Sequence, residues 1–278
     1  MKLFHWLFLQ SVGQGSGRSV IVCALLMGGL SGLTSSATAA DKKDGKKKDT
    51  APVIVTVVPP GIVVGAKNSL IVRGLNLEDA DRIEIVDSKL ELKIGRTGTT
   101  KAYSKYEAKE MGDTYVAVDF ESGNELPSMI EIRVRGKDEK WSKPFGLPAF
   151  ENSVPEKESN GGFPKAQSTR VPSIILGEIK ERFDVDVFRI ALEKGDKLTA
   201  EVFANRCKSP FDSQLTLFDY DGNTLVVDDD SGEGRDARLE YRCEKSGKFY
   251  LSLVDVNDLG GYAHKYFLRL SKTSAQLQ

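Results

Sequence analysis

The chain has 278 residues, with 39 Lys and Arg against 40 Asp and Glu, and a formal net charge of −1. That balance removes any bulk electrostatic case for nucleic acid. At 40% hydrophobic and 28% charged residues, the composition supports one large or two ordinary packed domains, and its 26 glycines with short β-branched runs favour a turn-rich β protein.

Residues 1–40 read as a secretory signal. Lys2 and Arg18 precede an apolar core, Ser19 to Leu33, and small residues at Ala37, Ala39 and Ala40 precede Asp41. Cleavage is expected near Ala39 or Ala40. The apolar run is too short for a persistent membrane span, with an uncleaved anchor as the alternative. Cys23 lies inside that core with no small residue before it, which argues against a lipoprotein. Export, to the periplasm, cell surface or extracellular space, places Cys207 and Cys243 where a disulfide is permitted, and two thiols fit one bridge. The strand layout leaves that pairing open. Residues 41–51 form a charged leader, DKKDGKKKDTA, with no apolar periodicity, expected as a disordered tether.

From Val53 onward the pattern becomes strand-like. VIVTVV, IVVG, NSLIVRG, DRIEIVD, TYVAVDF and MIEIRVRG alternate apolar and polar positions between Gly, Pro and Asp turns, which suggests a β-sandwich. PPGIVVGAKNSLIVRGLNLEDADRIEI resembles the opening of IPT/TIG-type immunoglobulin-like domains, where a Pro-Gly turn, a strand ending in Gly and an Asn-Leu pair precede the next strand. MIEIRVRGKDEKWSKPFGL supplies the closing strands, so this domain is expected over residues 52–148. The insert KIGRTGTTKAYSKYEAKEMGD departs from that pattern and reads as a longer hairpin or a partner-contacting loop.

The stretch from Pro148 to Pro172 is rich in Pro, Ser, Asn and Gly and marks a domain boundary. An acidic linker is expected over 149–172, a second domain over 173–271 and a tail over 272–278. The second domain carries further strands, DVFRIAL, KLTAEVFA, QLTLFD, NTLVVD, RLEYRC, KFYLSLVD and KYFLRL. Asp221-Gly222 is a tight hairpin signal. No segment shows sustained helical periodicity, so the expected class is all-β, with two sandwiches.

This second region resembles the bacterial pre-peptidase C-terminal domain, a jelly-roll-like sandwich. The motifs occur in order: EKESNGG, ILGEI, DVDVFRIALEKGDKLTAEV, SPFDSQLTLFDYDGNTL, DDDSGEGRDARLEY, SGKFYLSLVD and GGYAHKYFLRL, from Glu156 to Leu270.

The residues give little support for catalysis. Beyond the signal, His264 is the single imidazole, it stands beside a strand start, and no G-x-S-x-G elbow occurs. A surface or strand-edge position is expected for it. One His and two separated Cys lack zinc spacing. The abundant acids sit mostly in β-turns, where Asp is a turn former, although a paired-carboxylate glycosidase would use such groups. No catalytic residue and no organic cofactor is therefore expected.

Calcium fits better. Glu156, Glu158 and Asn160 alternate in an extended segment, and Asp184 and Asp186 alternate at the start of a strand. If segment and strand meet, five oxygen-bearing side chains converge, as a hard cation wants. The resemblance implies the same: in the related collagen-binding domains of bacterial collagenases, the corresponding E-x-E-x-N segment and D-x-D strand hold calcium. Gly161 and Ser159 depart from that pattern. VVDDDSGEGRD, Val226 to Asp236, offers Asp228 and Asp230 as a lesser pair, but fails the EF-hand pattern at Gly232 and reads as a strand-end loop in which Arg235 pairs with a local carboxylate.

Candidate exposed aromatics are Tyr103, Tyr106, Trp141, Tyr220, Tyr262 and Tyr266. The expected role is non-catalytic binding or scaffolding in the cell envelope or outside it, toward a protein or polysaccharide surface. The alternatives are an accessory or inhibitory partner of a secreted peptidase and an unrecognised hydrolase.

Overall fold

A computed structural model describes residues 50–86, 88, 90–101 and 106–274. The expected signal segment, nearly all of the charged leader, Tyr103 and the last residues of the tail lie outside them. Among the described residues the fold is all-β, with four sheets in two sandwiches. None of these residues forms a helix long and apolar enough to cross a membrane.

The first sandwich is built from β1 (Val53–Val58), β2 (Ile62–Val63), β3 (Lys67–Leu75), β4 (Ala80–Ile85) and β5 (Leu90–Leu92). It continues with β6 (Ile94–Thr99), the one-turn helix α1 (Ala108–Met111), β7 (Thr114–Glu121), β8 (Met129–Gly136) and β9 (Phe145–Phe150). One sheet runs in the order β1-β3-β7-β6 and the other β2-β9-β8-β4-β5. Strand β8 shows why these residues pair as they do. Its alternation buries Ile130, Ile132 and Val134 and turns Glu131, Arg133 and Arg135 outward. Those apolar groups meet Leu70, Val72, Val116 and Val118 from the facing sheet.

The second sandwich comprises β10 (Ser153–Pro155), β11 (Gln167–Ser168), β12 (Ser173–Glu178), β13 (Val185–Leu192) and β14 (Lys197–Phe203). It is completed by β15 (Ser213–Phe218), β16 (Thr224–Asp228), β17 (Arg238–Arg242), β18 (Gly247–Asp255) and β19 (Lys265–Thr273). The sheet orders are β10-β12-β19-β14-β17 and β11-β13-β18-β15-β16. The β15–β16 hairpin turns at Asp221-Gly222, where Gly222 takes a φ of 88° that favours glycine. Phe188, Phe211, Leu215, Leu251, Leu268 and Tyr266 belong to one buried cluster between the sheets.

Part of the segment expected as a linker is woven into this sandwich. Strand β10 adds to one sheet beside β12, and β11 adds to the other beside β13, both in parallel register. The Pro- and Ser-rich composition hid two very short edge strands, whose pairing comes from tertiary context rather than propensity.

The long insert of the first domain lies where the two sandwiches meet. Met111 of α1 packs with Val58 and Ala263, and the Tyr106 hydroxyl donates to Pro210 O at 3.4 Å. Arg73, 1% exposed, donates to Lys101 O and Gly112 O at 2.8 and 2.9 Å and contacts the Tyr262 hydroxyl. Phe150 stacks on Phe267 with ring centroids 4.4 Å apart. Cys207 packs into the first sandwich's core, whereas Cys243 belongs to the core of the second, and the two thiols are unbridged.

Candidate metal centre

Residues 156–160 run on from β10. The Glu156 amide donates to Leu176 O, continuing the pairing with β12, and Asn160 O accepts from Val187 of β13 at 3.3 Å. The segment is thus bonded to both sheets. Its alternation turns Glu156 and Asn160 inward toward Asp186, which begins the buried part of β13.

Ligand oxygens of Glu156, Glu158 and Asp186 lie within 4.8 Å of one another. Glu156 Oε1 accepts from Asn160 Nδ2 at 2.7 Å, and Oε2 accepts from the Glu178 amide at 2.9 Å. Asp186 is 0% exposed, and its Oδ2 accepts from the Tyr266 hydroxyl at 2.7 Å. Asp186 Oδ1 and Asn160 Oδ1 are buried with no protein donor among the described residues. Burial first, then Glu156 beside it, pushes the Asp186 carboxyl up to about 10. A carboxylate buried like Asp186 beside a second carboxyl group needs either a proton or a cation. Burial and the adjacent Asp186 also push the Tyr266 hydroxyl well above the usual phenol range.

The chain fits a calcium ion at this point by its donor set: carboxylates from Glu156, Glu158 and Asp186, and the orphaned amide oxygen of Asn160. A hard cation accepts oxygen donors of this kind and completes its six to eight ligands with carbonyls or water. Asp184, the fifth expected donor, is turned to its own loop, where its oxygens accept from the Lys180 and Val185 amides at 2.7 and 2.9 Å. Glu158 is paired with Lys180 at 3.0 Å. A Cβ on Gly161 would stand 3.4 Å from Val185 O, an ordinary contact.

Asp228 and Asp230 do not join this cluster. Asp228 Oδ1 accepts from the Arg238 amide at 2.7 Å and ties β16 to β17, while Asp230 is exposed in the following turn. Further along, Arg235 pairs with Asp212 at 2.8 Å. Asp236, fully buried, accepts from the Ala204, Asn205 and Arg206 amides and from Arg206 Nε.

Two supports of the centre escaped the sequence reading. Tyr266, a candidate exposed aromatic with core-edge packing as the alternative, is 0% exposed, because its ring fills the core and its hydroxyl reaches Asp186. Gly177 makes the space: a Cβ there would collide with the Tyr266 ring and stand 2.8 Å from Glu156 Oε2. A glycine inside a strand is a signal of close approach, and the ILGEI strand carried it. His264, expected at the surface or a strand edge, directly precedes β19 and is fully buried, beside Asp255 at 3.7 Å and near Phe211. Burial lowers its basicity. The β18–β19 connection folds back over it, through Gly261 N to Ile179 O. Tyr106 and Trp141 are half-buried, the latter under the Arg133 guanidinium at 4.2 Å, whereas Tyr220 and Tyr262 are exposed.

No protein-family model matches the chain, and no curated protein matches it. Among solved structures, it is similar to the pre-peptidase C-terminal domain of collagenase from Bacillus anthracis, at 17% identity and a TM-score of 0.32, over 43% of this chain and 100% of that one. It is similar to PliG of Aeromonas hydrophila, a periplasmic inhibitor of g-type lysozyme, at 12% identity and a TM-score of 0.29, over 44% and 96% of the two chains. It is also similar to the Bacteroides ovatus mixed-linkage glucan utilization protein SGBP-B, at 6% identity and a TM-score of 0.24, over 77% and 71%. Likenesses this weak carry no inference about ligand or activity.

Proposed function

We propose that this is an exported, non-catalytic binding or scaffolding protein in which calcium fastens residues 156–160 to the second sandwich. The first sandwich is read as an IPT/TIG-like immunoglobulin domain and the second as a pre-peptidase C-terminal-type jelly roll, on the sequence motifs quoted above. Export rests on the apolar segment Ser19 to Leu33 and the small residues before Asp41.

The observation that carries the calcium reading is the pair of orphaned buried oxygens, Asn160 Oδ1 and Asp186 Oδ1, beside the clustered carboxylates. Buried polar atoms in folded proteins are almost always satisfied, and an unsatisfied one asks for a water or an ion. When bound, calcium supplies the positive charge that lets Glu156 and Asp186 be ionised together. A non-catalytic role is supported by the state of the usual catalytic groups. His264 is sealed inside, and burial pushes the Cys207 thiol up to about 12. Calorimetric titration of calcium into metal-stripped protein tests the reading. Saturable heat and a higher melting temperature support it. Absence of both, with no effect of a chelator, rejects it.

A further inference from the structure

The second sandwich is closed at one edge and open at the other. At the β16–β17 edge, Asp228 bonds the Arg238 amide across the two sheets. At the opposite edge, residues 152–159 and 165–173 are bridged at Gln167 and line an open groove of about 770 Å³, a volume typical of ligand clefts. Lys157, Lys165 and Arg170 line it, and no ion pair among the described residues uses them. The one acid in the lining, Glu158, is paired with Lys180. The remaining lining is mainly hydroxyl and amide side chains, such as Ser159, Gln167 and Thr169.

The groove is poorly suited to an added peptide strand. Such a strand, running parallel beside Glu156, would pair with Pro155 O and the Lys157 amide. Both groups are already taken by one side chain. The Lys157 amide donates to Gln167 Oε1 at 2.7 Å, and Gln167 Nε2 donates to Pro155 O at 3.2 Å. Pro155 itself has no N–H to offer. Gln167 thus stands in for the missing strand and closes the ladder. Recognition is left to side chains, which are cationic or hydroxyl- and amide-bearing apart from Val154, Pro172 and the paired Glu158.

We infer that this groove binds an acidic oligosaccharide, with its anionic groups set against Lys157, Lys165 and Arg170 and its hydroxyls against the polar lining. The inference rests on the binding-protein reading, and it uses the same segment. Glu156 and Asn160 face the metal centre, Lys157 and Ser159 line the groove, and Glu158 stands at both.

The test is calorimetry of the purified full chain, at fixed calcium, with hyaluronan oligosaccharides. The controls are the same oligosaccharides with their carboxyls reduced to alcohols, and polyglutamate. Binding is expected for the acidic sugar alone, weakening as salt rises. Lys157→Ala with Arg170→Ala should lower the affinity by about tenfold or more without shifting the melting temperature, because both side chains are exposed. The inference is overturned if the reduced sugar or polyglutamate binds as well as the acidic sugar, if none binds, or if the double variant binds like the parent. A calcium heat measured separately keeps the two readings apart. Calcium binding without sugar binding rejects only the groove.

Discussion

The Tyr266 hydroxyl donates to Asp186 Oδ2 at 2.7 Å inside the second sandwich, joining β19 of one sheet to β13 of the other through two fully buried side chains. This bond fixes the direction of the carboxylate, whose other oxygen is buried without a donor among the described residues. Two substitutions separate the support from the donor. Tyr266→Phe removes the donor and leaves Oδ2 unpartnered, which should cost about 1–3 kcal/mol in denaturant unfolding. Asp186→Asn keeps the shape, needs no shared proton beside Glu156, and should leave calcium-free stability at or above that of the parent. It should abolish the calcium-induced stabilisation, worth about 2.7 kcal/mol at a calcium concentration about 100-fold above Kd. Equal calcium shifts in Asp186→Asn and the parent would remove Asp186 from the site.

Space at Gly177 should matter far more than at Gly161. A Cβ at Gly177 meets the buried Tyr266 ring and Glu156, whereas at Gly161 the nearest atom is Val185 O at 3.4 Å. Gly177→Ala is expected to destabilise by about 1–3 kcal/mol through overpacking and to weaken calcium binding. Gly161→Ala should change both only slightly. Thermal melts with and without calcium check the contrast, and equal effects at the two positions would contradict it.

His264 should pull stability down on the acid side of neutrality, against the buried Asp186, whose raised pKa favours the folded state as pH falls. Its basicity in the folded state is lowered from the ordinary value of 6.5 by burial, against the opposing pull of Asp255 and Glu178. Above that value neither state holds the proton. Below it the unfolded chain takes up a proton that the folded chain resists, so this contribution is lost as pH falls, by at most about 1.4 kcal/mol per pH unit. Unfolding curves on either side of about pH 6.5 should show a shallower acid decline in His264→Gln than in the parent. Parallel declines would assign the effect to other groups.

The thiols should behave as core side chains. Cys207 and Cys243 lie in different cores, and burial raises both of their pKa values. A reductant should leave the melting temperature unchanged, and thiol reagents should modify both residues only as the chain unfolds. A drop in melting temperature on reduction would show a bridge.

Much of this was legible in the residues. Period-2 burial in MIEIRVRG and the Asp221-Gly222 turn are local signals, and the structure carries both. Alternation alone left the meeting of EKESN with DVDVF conditional, and the resemblance to collagenase domains implied it; Asp184 turns back to its own loop. What stayed hidden depends on distant packing. Tyr266 and His264 are polar-tipped residues that look the same exposed or sealed in a one-dimensional pattern. Their burial is set by Gly177 and by the connection over Ile179. The edge strands β10 and β11 have three and two residues, too short for any periodicity to register.

The most direct measurement is a crystal structure of the protein grown with calcium at neutral pH, with the anomalous signal used to locate the ion. One calcium is expected, bonded to oxygens of Glu156, Glu158, Asn160 and Asp186 at about 2.3–2.6 Å. Glu156 and Asp186 hydrogen-bonded to each other through a shared proton, with no ion between them, would contradict it.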